Sequence, residues 1–141
     1  MLTCYVASAG VELDRARRAM TALRMSGLVR LALDWTQGYR PIGELSDADR
    51  ARLAREDHEA IRRSDVVLVL APTVRSDALV EMGLALGMAL ACPSMIRLVV
   101  AGPVQARGIF AALGAAEGVC VEVESDADGI AAVLAMAREG R

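Results

Sequence analysis

The chain has 141 residues, 55% of them hydrophobic, and its 16 basic and 18 acidic side chains nearly cancel. That length suits a single domain with one core, and the small net charge leaves no single-sign field to hold a nucleic-acid backbone or an anionic membrane. Every basic residue is arginine, which excludes a P-loop lysine, a Schiff-base lysine and a lysine general base, and the one histidine, His58, cannot build a His-rich metal site.

Cys4, Cys92 and Cys120 are odd in number, widely spaced and set in apolar stretches, as buried thiols of a reducing compartment are. Ala7-Ser8-Ala9 resembles a leader cleavage site, but no basic segment precedes it and the apolar run is too short. The apolar run Ala78 to Cys92 is shorter than the roughly 18 residues of a membrane span and contains Glu81. The expectation is a soluble cytoplasmic protein whose partner is a small, neutral or modestly charged molecule, with no cofactor, no metal, no nucleic acid and no membrane.

Leu2 to Ala7 is a short run of β-formers. Gly10 follows, and then Leu13, Ala16, Ala19, Met20 and Leu23 recur at helical spacing as far as Gly27. Leu28 to Trp35 returns to strand character. Thr36 to Ser46, with Gly38, Pro41 and Gly43, is the longest predicted loop, of the kind that covers a site. Ser46-Asp47 begins a polar helix that runs to about Arg63. Asp65 to Ala71 is apolar without alternation, as a strand covered on both faces is. Pro72 ends it, Thr73 to Ser76 is a loop, and Asp77 to Cys92 is a helix stopped by Pro93. Met95 to Ala101 is a strand, Arg107 to Leu113 a short helix, Gly118 to Val123 a fifth strand, and Asp126 to Arg138 a closing helix. Alternating strands and helices predict right-handed crossovers and an α/β fold: a single-domain, doubly wound, Rossmann or flavodoxin-like sheet of about five parallel strands with helices on both faces.

Ligands of such sheets bind beyond the C-terminal strand ends, where Tyr5 to Gly10, Asp34 to Thr36 and Pro72 to Glu81 face one another. Ala78 to Cys92 holds one polar side chain in fifteen residues, Glu81. A helix apolar on all sides is expected to be buried on all sides, and a buried carboxylate must be paired, set at a cavity wall or functional. Pairing with Arg75 or a place in a subunit interface is the structural alternative to site chemistry. Asp57 shares a helix face with Ile61, which directs it towards the sheet if Ile61 packs inward; otherwise it is one more solvated charge. Asp65 lies at the opposite strand end and reads as a cap, and His58 as a surface residue. Tyr5 is either a core tyrosine or a ligand contact. Gly83-x-x-x-Gly87 permits close backbone contact, inside the fold or in a dimer. Ser76 can cap the helix, and with Arg75 it can also receive a phosphate or a 5′-hydroxyl.

Tyr5 in the first strand, Asp57-x-x-x-Ile61-x-x-x-Asp65 leading into V-V-L-V-L, and Glu81-x-Gly83-x-Ala85 before Pro93 together resemble the nucleoside 2-deoxyribosyltransferases and the related nucleoside 5′-monophosphate N-glycosidases, over nearly the whole chain. The resemblance implies one such domain over residues 1–141 and an N-glycosidase or transferase of nucleosides or nucleotides. Glu81 would be the nucleophile at C1′, Asp57 the acid that assists the departing base and Tyr5 the residue that orients the nucleophile. Such a pair suits retaining glycoside cleavage, with carboxyl groups roughly 5 to 5.5 Å apart. It implies substrate contacts at Ser8, Gly10, Asp34, Trp35, Arg75 and Ser76, and at Arg107 and Gly108, in the stretch through which relatives complete a neighbouring subunit's site, hence a homodimer or higher homo-oligomer. Arg75 stands where the transferases carry an acid, which favours hydrolysis over base exchange and an anionic substrate. The alternatives are a non-catalytic nucleotide-binding or signalling module of the same fold, and a structural glutamate in a protein-interaction domain.

Overall fold

The computed structural model describes residues 1–140. Strands β1 (Leu2–Ala7), β2 (Val29–Leu31), β3 (Val66–Leu70), β4 (Arg97–Ala101) and β5 (Cys120–Val123) alternate with helices α1 (Leu13–Met25), α2 (Asp47–Arg62), α3 (Ala78–Ala91), α4 (Val104–Ala116) and α5 (Asp126–Glu139). All four strand pairings are parallel, in the order β2-β1-β3-β4-β5, which is the doubly wound arrangement expected from the alternation. The order reverses between β1 and β3, so the crevice at their C-terminal ends is where a ligand of this fold sits.

The strands show why the sequence reads as it does. Tyr5, Ala7, Val67, Val69, Leu98 and Val100 pack with Ala60 and Ile61 of α2, with Met82 and Ala85 of α3, and with Ala111 of α4. The intervening Cys4, Val6, Leu68, Leu70, Val99 and Ala101 pack with Ala19, Met20 and Leu23 of α1 and Val133 of α5. Both faces of β3 are covered, hence its unbroken apolar run. Gly129 lets α5 lie on the sheet, because a Cβ there would stand 2.8 Å from the Cβ of Ala101.

Several expectations are corrected. β2 is three residues long rather than eight. It pairs only with β1 at the sheet edge, and the Asp34 carboxylate then accepts from the Thr36 amide and hydroxyl to turn the chain. The helix after β4 starts at Val104 behind Pro103, and Gly108, at φ 73° and ψ 176°, breaks it inside the expected span. Only glycine takes that conformation without strain. α3 is not buried all round. Ala78, Met82, Ala85, Leu86 and Ala89 face the core, while Val80 is 62% and Leu84 42% exposed. Gly83 and Gly87 lie on the outer side with nothing within 4 Å of an added Cβ, so they serve no packing within the chain. Cys4 and Cys120 are buried as expected, and Cys92 is only partly so. No helix among the described residues is long and apolar enough to cross a membrane.

Candidate active site

Three side chains from three elements meet on the α2/α3 side of the crevice. Tyr5 alternates onto that face of β1 and is fully buried. Its hydroxyl donates to Glu81 Oε1 at 3.0 Å. Ile61 is fully buried, and Asp57, one turn earlier on α2, is thereby turned inward and half-buried. Asp57 stands close enough to Tyr5 and Glu81 to perturb both.

The electrostatics follow from burial without a cation. Burial, with the Asp57 charge second, pushes the Glu81 carboxyl up to about 8, the Tyr5 hydrogen bond opposing this. Burial also raises Asp57, helped by the charges of Glu56 and Asp77 and opposed by Tyr5. Tyr5 is held far above its ordinary value by burial and by the two carboxylates, so it stays a neutral donor. Among the described residues no arginine pairs with Glu81. Burial and the facing charges thus favour the protonated form of both carboxyls, most strongly at Glu81.

The other expected positions divide. Ser8, at the end of β1, is 8% exposed and its buried Oγ has no hydrogen-bond partner. Gly10 lies against the Tyr39 hydroxyl, from which an added Cβ would be 2.3 Å. Trp35 Nε1 donates to the Val6 carbonyl at 2.7 Å, which fixes the indole at the C-terminal end of β1. Asp34 is occupied locally. Burial acts to raise its carboxyl, but hydrogen bonds from Thr36, Arg24 and Gln37 outweigh it and leave the net shift downward. Ser76 Oγ accepts from the Ala78 amide, and Arg75 is exposed in the same loop. Arg107 is 7% exposed and engaged by Glu124 at 3.0 Å and Glu122 at 3.7 Å beside β5, so within one chain neither it nor Gly108 joins the Tyr5, Asp57 and Glu81 group. Asp65 accepts from the Thr3 amide at 2.7 Å and His58 is exposed, as expected of a cap and a surface residue.

Sequence reasoning passed over three contributors. Asp77 precedes Glu81 by one helical turn, and its charge raises both carboxyls; the i, i+4 spacing was the available signal. Glu12 and Arg15 brace the loop before α3. Arg15 grips Asp126 of α5 with two 2.7 Å bonds, reaches Glu12 at 2.9 Å and the Ala71 carbonyl at 2.8 Å, and Glu12 accepts from the Thr73 amide and hydroxyl. Nothing in the local pattern singles out those two residues. Two shallow concavities lie elsewhere: one at the opposite strand ends, by Asp65, Arg97 and Glu139, the other outside α2, by Arg55, His58 and Arg63.

Fold and crevice thus define a five-stranded, parallel, doubly wound α/β protein with an acidic pair at its topological switch point. Among solved structures the chain is similar to the CMP N-glycosidase BcmB of Clostridium botulinum, with a TM-score of 0.55 and 15% identity over 93% of this chain and 96% of that one. That likeness is one of fold. No protein-family model matches the chain, and no curated protein matches it in sequence.

Proposed function

We propose that this protein is an N-glycosidase that cleaves the base–sugar bond of a nucleoside or nucleoside 5′-monophosphate, by hydrolysis in preference to transfer. The observation that carries the reading is the meeting of Tyr5, Asp57 and Glu81 at the β1/β3 switch point, with Tyr5 donating to Glu81 at 3.0 Å. In this reading the whole chain is one domain of the nucleoside 2-deoxyribosyltransferase-like kind, working in the cytoplasm. A structural neighbour that is itself a nucleotide N-glycosidase is consistent with it.

In this mechanism the Glu81 carboxylate attacks C1′, and the bond between C1′ and the base nitrogen breaks. The leaving base takes the electron pair of that bond and a proton from Asp57. Water then attacks C1′ of the glycosyl ester, passes a proton to Asp57 and releases Glu81 as a carboxylate. Tyr5 holds the attacking carboxylate by its hydroxyl proton. Arg75 and Ser76, at the N-terminal end of α3, are the groups placed for an anionic 5′ substituent.

The outer side of α3 and the adjoining α4 supports a homo-oligomer. Val80, Leu84, Ile109 and Phe110 are 42–80% exposed, and the bare Gly83 and Gly87 leave a flat track on α3 that suits a second copy of the chain.

The decisive experiment incubates the protein with a panel of nucleosides and their 5′-monophosphates, with and without a second base, and follows free base by chromatography. Release abolished by Glu81→Ala and Asp57→Asn is the expected result. Release unchanged in Glu81→Ala sinks the nucleophile, and binding without release marks a non-catalytic nucleotide-binding module instead.

A further inference from the structure

The chain has four aromatic residues, one Trp, two Tyr and one Phe, and three of them gather around the C-terminal end of β1. Tyr5 faces Glu81, Trp35 is pinned to the Val6 carbonyl, and Tyr39 meets Trp35 edge-on with ring centroids 6.3 Å apart at 67°. Tyr39 lies in the long segment between β2 and α2, and its ring occupies the space beside Gly10, where a Cβ would stand 2.3 to 2.7 Å from three of its atoms. Gly10 does not have a positive φ, so its backbone does not call for glycine; the ring of Tyr39 does. Two residues earlier, Ser8 keeps a buried hydroxyl with no partner. A hydroxyl so desolvated is stabilised by any hydrogen-bonding group that reaches it.

We infer that Tyr39, backed by Trp35, is the wall against which the nucleobase of the substrate is held, and that the Ser8 hydroxyl bonds to the base's polar edge. The inference rests on the N-glycosidase reading for the identity of the substrate. Three features assign this side of the crevice to the base rather than to the sugar's 5′ end. The wall is aromatic, and a flat base is what an aromatic face selects. It lies on the β2 side of β1, and the chain runs from it directly into α2, which carries Asp57, the proton donor to the leaving base. Arg75 and Ser76, the groups proposed for an anionic 5′ end, stand apart from it at the start of α3.

Trp35, the sole tryptophan, serves as the reporter. The full chain is titrated with free nucleobases and, separately, with ribose 5-phosphate, while indole emission is followed. Bases are expected to quench Trp35 and ribose 5-phosphate to leave it unchanged. Tyr39→Ala is expected to weaken base binding about tenfold or more, and Gly10→Ala, which pushes the ring from the other side, to do the same. Tyr39→Phe should stay within about threefold, since it keeps the face. Ser8→Ala should discriminate among bases, weakening those whose edge it bonds. Melting curves establish that each variant is folded, and the two substitutions on either side of the contact guard against one that is not. Absence of quenching by any base, quenching by ribose 5-phosphate alone, or base affinity indifferent to both Tyr39→Ala and Gly10→Ala overturns the inference. A wild-type protein that binds bases through Tyr39 yet releases none from any nucleoside overturns the glycosidase reading and leaves the wall standing. Release that persists with base affinity unmoved by Tyr39→Ala does the reverse.

Discussion

Tyr5 and Glu81 are 76 positions apart in the chain, and a 3.0 Å hydrogen bond joins them across the gap between β1 and α3. Removing that donor while keeping the ring isolates its contribution. A hydrogen bond to a charged group contributes about 1.5–3 kcal/mol, so Tyr5→Phe is expected to slow base release about 10- to 100-fold with the fold retained. Steady-state kinetics on the preferred substrate measures it, and an unchanged kcat would remove Tyr5 from the mechanism.

The pH dependence follows from the coupling of the two carboxyls. The nucleophile must be ionised while the acid is protonated, so the working state carries one proton on the pair. Burial and the Asp57 charge hold the last proton of the pair, on Glu81, up to about 8. In the working state that proton stands on Asp57, so once it leaves no acid remains and kcat/KM is expected to fall as pH rises through that value. On the acid side it falls as the second proton is taken up. Asp57→Asn removes the facing charge, so the Glu81 titration should move downward and the limb near 8 should vanish from the residual activity. A limb that stays in place would belong to another group.

Stability should respond to the same burial. The Glu81 carboxyl is raised from 4.5 to about 8 in the folded chain. As pH rises past 4.5 the unfolded chain gives up this proton first, and the folded state loses about 1.4 kcal/mol per pH unit until its own carboxyl ionises. Glu81→Gln should therefore melt several degrees above the parent at pH 9 and level with it near pH 4. Calorimetry at the two pH values checks the sign, and a parent that is the more stable at pH 9 would show that its carboxylate has a partner.

Arg15 ties α1 to α5 and to the end of β3 through Asp126, Glu12 and the Ala71 carbonyl. Arg15→Met keeps the aliphatic bulk and drops these bonds, at an expected cost of about 2 kcal/mol in urea unfolding. Asp126→Asn should cost less, because one acceptor oxygen remains. Equal, negligible losses would show the cluster to be a solvated surface pair.

Leu84→Asp should leave the fold intact, because that side chain is 42% exposed, and should yield a monomer if the outer side of α3 joins two copies. Sedimentation of the parent and the variant decides it. A parent that is itself monomeric at micromolar concentration removes the homo-oligomer from the proposal.

The strand–helix alternation, the doubly wound class and the chain order of Tyr5, Asp57 and Glu81 were legible in the sequence, because periodicity and helix punctuation are local properties. Burial of β3 on both faces showed in its unbroken apolar run, and the inward turn of Asp57 in its i, i+4 spacing from the buried Ile61. Only the tertiary structure decided which groups meet. The Tyr39 ring over Gly10, the Arg15–Asp126 tie and the burial of Arg107 between Glu122 and Glu124 are contacts between segments that carry no shared pattern. The outer side of α3 shows the limit most directly. Its composition predicts burial all round, yet a helix has more sides than one sheet can cover, and the sequence does not say which side stays bare.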